Sequence, residues 1–289
     1  MESSQVTAED VDDLPPTVER LLWLLELESL DRDLFRARSP RHRPNGRLFG
    51  GQVAAQALRA ATLTVDAAHA PHSLHGYFLR PGLPDRALIL QVDRIRDGRS
   101  FTTRNVKAIQ DGEAIFSLSA SFHVDEPAGE FQTPLPVDVP GPDDDAAADR
   151  RQTIGTSSSA FDVRQVRPPP VDARGVFEST QRVWVRTRGA LPDEDRALHA
   201  CVLTYASDMG AVLASRKALR IPASTGGMGA SLDHALWFHR FIRADDWVLF
   251  DLRPVSNSGS RGLVVGTMHS IGGVHGATMT QEALIRESR

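Results

Sequence analysis

A single cysteine, Cys201, stands in 289 residues, so no disulfide can close within the chain and a reducing compartment suits it. A basic excess is also missing. Thirty-three Lys and Arg face thirty-seven Asp and Glu, for a net charge of -4 and a pI near 6.2. A surface built to hold nucleic acid over its whole extent would need the opposite balance. No apolar run approaches the roughly eighteen residues of a membrane-spanning helix. The opening MESSQVTAEDVDDLPP is acidic and has neither the basic start nor the apolar stretch of a secretory signal. The final Glu287, Ser288 and Arg289 are not the peroxisomal Ser-Lys-Leu address. The expectation is a cytoplasmic protein.

Several chemical signatures are absent as well. Neither a Gly-x-Ser-x-Gly elbow nor a Ser-x-x-Lys pair occurs, which speaks against a nucleophilic serine. GGMGAS has the wrong spacing for a phosphate or dinucleotide loop and precedes a strand. His72 and His75, like His234 and His239, fall on opposite faces of their strands, and no Cys/His cluster exists, so no metal or other cofactor is expected.

What is present is a globular composition, 41% hydrophobic and 24% charged, in a chain long enough to bury about three quarters of its unfolded surface. After a polar leader (residues 1–16), Pro15, Pro16 and Thr17 open a short helix carrying Leu21, Leu22, Leu24 and Leu25. ESLDRDLFRAR reads as a strand. Gly50 and Gly51 then open a helix on which Val53, Ala54, Ala57, Leu58 and Ala61 recur at helical spacing. Its mostly alanine face can lie very close to a sheet.

From His72 the period changes to two. HSLHGYFLRPG, RALILQVDRIRDG, SFTTRNVKAIQDG and EAIFSLSASFHV are four strands, with Asp97-Gly98 and Asp111-Gly112 as hairpin signals. One helix followed by an antiparallel meander is an α+β unit, spanning residues 17–124. Residues 125–159, rich in proline and carrying Asp143, Asp144 and Asp145, read as a surface linker.

The second unit, residues 160–289, repeats the first. FESTQRVWVRTRG is a strand, ALHACVLTYASDMGAVLA a helix, and SLDHALWFHRF, WVLFDLRPVSNSG, SRGLVVGTMHSIGG and VHGATMTQEALI four further strands. Laying Gly98 on Gly259 puts Asp111-Gly112 on Gly272-Gly273, which indicates internal duplication, since solenoid periods are much shorter.

On FGGQVAAQAL (49–58), HSLHGYFLRPG (72–82), RDGRSF (96–101), YASDMG (205–210), SLDHALWFHR (231–240) and TQEALIR (280–286), in this order, the chain resembles the acyl-CoA thioesterase II family. The resemblance implies a double hot-dog fold, with two repeats sharing a continuous curved sheet around two central helices. It implies acyl-CoA as substrate and a water held by Asp208, Ser231 and Gln281. The local pattern near Gln281 is Thr-Gln-Glu-Ala where the family often has Val-Gln-Glu-Gly. A homodimer or larger homo-oligomer, and no nucleic-acid partner, are expected.

The residues can also be weighed alone. Thioester hydrolysis needs a positioned water, a base and donors for the oxyanion rather than a covalent nucleophile. Asp208 is the one acid among Leu198, Ala200, Val202, Leu203, Ala206 and Met209; it either serves chemistry or ends the helix on its solvent face. Ser231 either orients a water or is a turn hydroxyl after Gly226, Gly227 and Gly229. Asp233 and His234 read as structural, and Trp237 and Phe238 as core. Residues 51–62 contain no acid, so one active site per chain follows, while the amides of Gly51 and Gln52 either donate to the thioester oxygen or merely permit close helix packing. Arg36, Arg38, Arg41, Arg43 and Arg47 form a basic loop that meets either solvent or the phosphates of coenzyme A. A hot-dog hydratase or dehydratase, for which the Asp208 helix offers only the distant His199, and a non-catalytic acyl-CoA-binding protein are the alternatives.

Overall fold

The computed structural model describes residues 17–39, 46–137, 139–144, 149–150, 160–166, 180–193, 195–221 and 227–287, so the leader lies outside it. Helix α1 (Val18–Leu25) buries Leu21, Leu24 and Leu25. ESLDRDLFRAR is a hairpin rather than one strand: β1 (Glu28–Asp31) turns into β2 (Leu34–Ala37) through Asp33, whose φ of 59° breaks the extended run. Helix α2 (Gly50–Thr62) follows, with Ala54, Ala55, Ala57, Leu58, Ala60 and Ala61 fully buried. Small side chains let its backbone lie close to everything around it. Gln56, buried on this helix, donates from Nε2 to the carbonyls of Leu24 (2.8 Å) and Arg38 (2.7 Å) and so ties α1 and the end of β2 to α2.

The period-two segments form β3 (His69–Phe78), β4 (Leu88–Asp97), β5 (Phe101–Gln110) and β6 (Glu113–Val124). Asp111 (φ 49°) and Gly112 (φ 79°) turn β5 into β6, as an Asp-Gly hairpin requires. In the second half come β7 (Asp149–Arg150), β8 (Phe161–Gln165), β9 (Gln181–Thr187), β10 (Gly227–Ser231), β11 (Asp233–Phe238), β12 (Val248–Ser258), β13 (Arg261–Ser270) and β14 (His275–Glu287). The expected strand 231–241 is two strands, separated at Leu232. Residues 177–179 of the expected FESTQRVWVRTRG strand are outside the described set.

All strands among the described residues belong to one antiparallel sheet of order β1-β2-β4-β5-β6-β3-β11-β14-β13-β12-β9-β8-β7, with β10 also on β14. The halves join where β3 pairs with β11, Leu74 opposite Leu236 and Gly76 opposite His234. Leu74, Leu118 and Leu236 are fully buried or nearly so against the helices, each contributing about 1.5–3 kcal/mol. This is the double hot-dog arrangement, one curved sheet around two central helices.

The second central helix differs from expectation. Instead of one helix through residue 214, α3 (Arg196–Ser207) stops at Asp208, and after Gly210 (φ 110°) the chain restarts as α4 (Ala211–Ala218). The span Arg196–Ala218 is apolar enough to cross a membrane by composition, yet 83% of its apolar window is buried inside the fold. It is a broken core element.

The described part of the proline-rich connection is anchored along the second half. Gln132 Nε2 donates to the Gly273 carbonyl (3.0 Å), its Oε1 accepts from the His275 amide (3.2 Å), and Trp184 Nε1 donates to the Pro140 carbonyl (2.9 Å). Leu135 and Val139 pack on Trp184, Trp247 and Leu249. Low regular structure here does not mean loose attachment.

Candidate active site

The helices lie antiparallel, and at one end the start of α2 meets the end of α3. The contact needs glycine: a Cβ on Gly51 would stand 2.3 Å from the Tyr205 carbonyl oxygen. Because nothing intervenes, the Gly51 amide donates to Asp208 Oδ2 at 2.8 Å. Asp208 is 8% exposed, so it does not end α3 on a solvent face. A carboxylate after the last turn of a helix faces that helix's negative end, but here the amide-bearing start of α2 offsets it.

Ser231 arrives from the sheet. Leu232, between β10 and β11, donates its amide to the Glu282 carbonyl (2.8 Å) and accepts from the Phe78 amide (2.9 Å), while Asp233 Oδ1 accepts from the Glu282 amide (2.6 Å). These bonds hold the break and leave Ser231 Oγ donating to Asp208 Oδ1 at 2.8 Å. Fully buried Gln281, on β14, donates from Nε2 to the same oxygen (2.9 Å) and to Ser231 Oγ (2.6 Å). The three residues singled out in the sequence are thus in mutual contact.

The network continues into a residue read from the sequence as structural. An ionised carboxylate only accepts, so Gln281 must turn its NH2 toward Asp208 and its Oε1 away. Oε1 lies 2.7 Å from His234 Nδ1, which therefore carries the proton. Burial holds the His234 pKa below its usual value, the Asp208 charge opposing this, and the ring is neutral. Its Nε2 then accepts from Ser207 Oγ at 2.6 Å, although that hydroxyl also reaches the Thr204 carbonyl at 2.8 Å. The available signal was parity: His234 alternates with Leu236 on the buried face of β11, opposite to Asp233.

Other sequence candidates separate from this cluster. The Gly51 amide is taken by Asp208 and the Gln52 amide donates to the Phe49 carbonyl (3.1 Å), so both amides are engaged within the fold. Arg36 and Arg38 are paired with Glu28 (3.0 Å) and Glu26 (2.8 Å); Arg41 and Arg43 lie outside the described residues. Burial pushes the Cys201 thiol up to about 12, far from a reactive thiolate. Trp237 and Phe238, expected in the core, are half-buried, and Trp237 meets His75 edge-on at 5.0 Å. Among the described residues no group of three or more His, Cys, Asp or Glu converges as for a metal ion.

Comparison with known proteins bears on this geometry. Residues 38–123 match the family model described as acyl-CoA thioesterase N-terminal domain, and residues 136–285 the one described as acyl-CoA thioesterase C-terminal domain. The chain is 37% identical over 286 residues to acyl-coenzyme A thioesterase 8 of Mus musculus, covering 91% of this chain and 88% of that protein. It is 34% identical over 281 residues to acyl-CoA thioesterase 2 of Haemophilus influenzae, with 93% and 97% covered. Among solved structures, acyl-CoA thioesterase II TesB2 from Mycobacterium marinum superposes with a TM-score of 0.78 at 39% identity, over 92% of this chain and 97% of that one.

Proposed function

The chain belongs to the acyl-CoA thioesterase family, and on that premise we propose that Asp208 is the base toward the water that cleaves its thioester substrate, with Ser231 and Gln281 orienting that water. The protein is a hydrolase of acyl-CoA thioesters. The observation that carries the finer reading is the convergence of Ser231 and Gln281 on one oxygen of Asp208 while Gly51 occupies the other. A carboxylate offers about four lone-pair sites, and three are filled, which leaves one on Oδ2 for a proton of water. Glycine at residue 50 keeps a side chain off that oxygen: a Cβ there would lie 2.8 Å from Oδ2.

In the reaction, water oxygen attacks the carbonyl carbon as its proton passes to Asp208. The carbon–sulfur bond then breaks, and the proton leaves on the thiol of coenzyme A. The free acid is the other product. No covalent enzyme intermediate is needed because thiolate leaves readily. His234 acts through Gln281: by accepting nothing at Nδ1 and donating there, it keeps the glutamine amide facing the carboxylate.

A hydratase would need a histidine free to move a proton beside the acid. Both ring nitrogens of His234 are engaged, by Gln281 and Ser207. The test is thiol release from a panel of acyl-CoAs by wild-type and Asp208→Asn protein. Release by the former and its near-abolition in the latter are expected; equal rates would refute the role given to Asp208.

A further inference from the structure

The sheet has an internal two-fold through the Leu74–Leu236 pair. Rotation about it carries β3 onto β11 and places Gly76 where Phe238 stands, while His72, bulged out of the β3 register, takes the end of β3 that corresponds to the His234 end of β11. The antiparallel helices obey the same symmetry. Gly51 and Asp208 meet at one end, and at the other Arg59 in the last turn of α2 is paired with Asp195 before α3 (3.0 Å). The far end is therefore the counterpart of the catalytic end.

A cavity of about 870 Å³ opens there. His72 and Phe238 line it from the sheet, Ala200 and Leu203 from α3, and Arg196 and Arg240 beside them. What it lacks is the acid. Asp208 caps α3, whereas the residue capping α2 is Leu63, which is 48% exposed. The carboxylates that do line the cavity, Asp125, Glu126 and Glu130, come from the chain leaving β6; Asp125 is paired with Arg196 (2.9 Å) and Glu130 with Arg240 (3.1 Å).

We infer that this cavity is a second binding site for acyl thioesters, one that holds them without cleaving them. The inference rests on the reading of the catalytic end as the thioester site. Its volume falls within the range of about 300–1,000 Å³ usual for ligand pockets. Phe101, Phe238 and Phe241 offer apolar walls to an acyl group. Arg196 and Arg240 can meet the phosphates of coenzyme A, because their present carboxylate partners, 73% and 76% exposed, form pairs that contribute little. Burial keeps the His72, His239 and His275 pKa values below the usual range, so at neutral pH these imidazoles add no charge of their own.

The experiment is calorimetric titration of the full chain with a non-hydrolysable thioether analogue of an accepted acyl-CoA. Wild-type protein should bind two analogues per chain. Ala200→Phe, which fills the cavity, should bind one and still release thiol from acyl-CoA. Arg240→Glu, which removes the cation and its bonds to Glu130 and the Phe131 carbonyl at the cavity wall, should weaken the second event by roughly ten-fold or more through like-charge repulsion and leave thiol release unchanged. If Ala200→Phe fails to fold, Arg240→Glu decides. One analogue per chain in an active wild type, or a second event that Arg240→Glu does not alter, would overturn the inference. A wild type that releases no thiol from any acyl-CoA would overturn the catalytic reading itself, and with it this one.

Discussion

Replacing Asp208 by asparagine separates charge from shape, and the network gives the expected response in detail. The new NH2 must face either Gly51 or the Ser231–Gln281 pair, and all three now donate to the carboxylate. Facing Gly51 would bury two donors against each other, an unfavourable arrangement by about 1–3 kcal/mol. The other orientation has an exit. Gln281 can turn over so that Oε1 accepts from the asparagine, Ser231 can donate to that same Oε1, and the glutamine NH2 then points at His234. The ring answers by moving its proton from Nδ1 to Nε2, where Ser207 can accept while donating to the Thr204 carbonyl, a contact already present at 2.8 Å. Every polar group stays partnered, so the unfolding temperature should fall by only a few degrees, about 2–4 °C for each kcal/mol in a chain of this size. The base, however, is gone. Thiol release should drop about 10²- to 10⁴-fold, or roughly 2.7–5.4 kcal/mol in the barrier. Steady-state hydrolysis, a melting curve and nitrogen chemical shifts of His234 check the three parts. Near wild-type turnover would sink the base assignment; lost turnover with the His234 tautomer unchanged would sink the chain of donors and acceptors from Asp208 through Gln281 and His234 to Ser207.

Ser231→Ala and Gln281→Ala should each lower thiol release less than Asp208→Asn, since each removes orienting bonds but keeps the carboxylate; the triple variant should be little worse than Asp208→Asn, whereas independent multiplication of the effects would refute a shared water. Gly51→Ala should lower both stability and turnover, because its Cβ would stand 2.3 Å from the backbone oxygen of Tyr205 and the helices must part. Gly50→Ala should lower turnover by about ten-fold or more and cost less stability than Gly51→Ala, because its Cβ would meet side chains, Asp208 Oδ2 at 2.8 Å and the Phe78 ring at 3.0 Å, rather than backbone; a melting curve beside steady-state hydrolysis checks both. Acid should destabilise the protein early: burial depresses the pKa values of His72, His199, His234, His239 and His275, so the unfolded chain binds more protons as pH falls below about 6.5. Stability is then fully present above that pH and declines below it; melting temperatures unchanged from pH 7.5 to 5 would contradict this.

Most strands and turns were legible in the sequence because each needs only local information; the turn at Asp33 inside ESLDRDLFRAR and the break at Leu232 were not. Period-two burial follows from the pleat, and Asp111-Gly112 turns a hairpin for a reason internal to those two residues. Duplication was legible too, through the matching glycine turns of the two halves. Asp208, Ser231 and Gln281 stood out by residue type and by resemblance, as separate points 23 and 50 positions apart. Their meeting was decided by tertiary structure, since β10 and β11 both lie on β14 and Leu232 is pinned between two strands. Likewise, no periodicity marks the stop of α3 at Asp208: the left-handed Gly210 and the approach of α2 decide it. Gly51 was ambiguous because a glycine in sequence does not say which backbone comes near it. His234 looked structural because its partners, Ser207 and Gln281, lie on other elements. A one-dimensional pattern records which face of an element is buried, but only packing determines which atoms of distant elements share that burial.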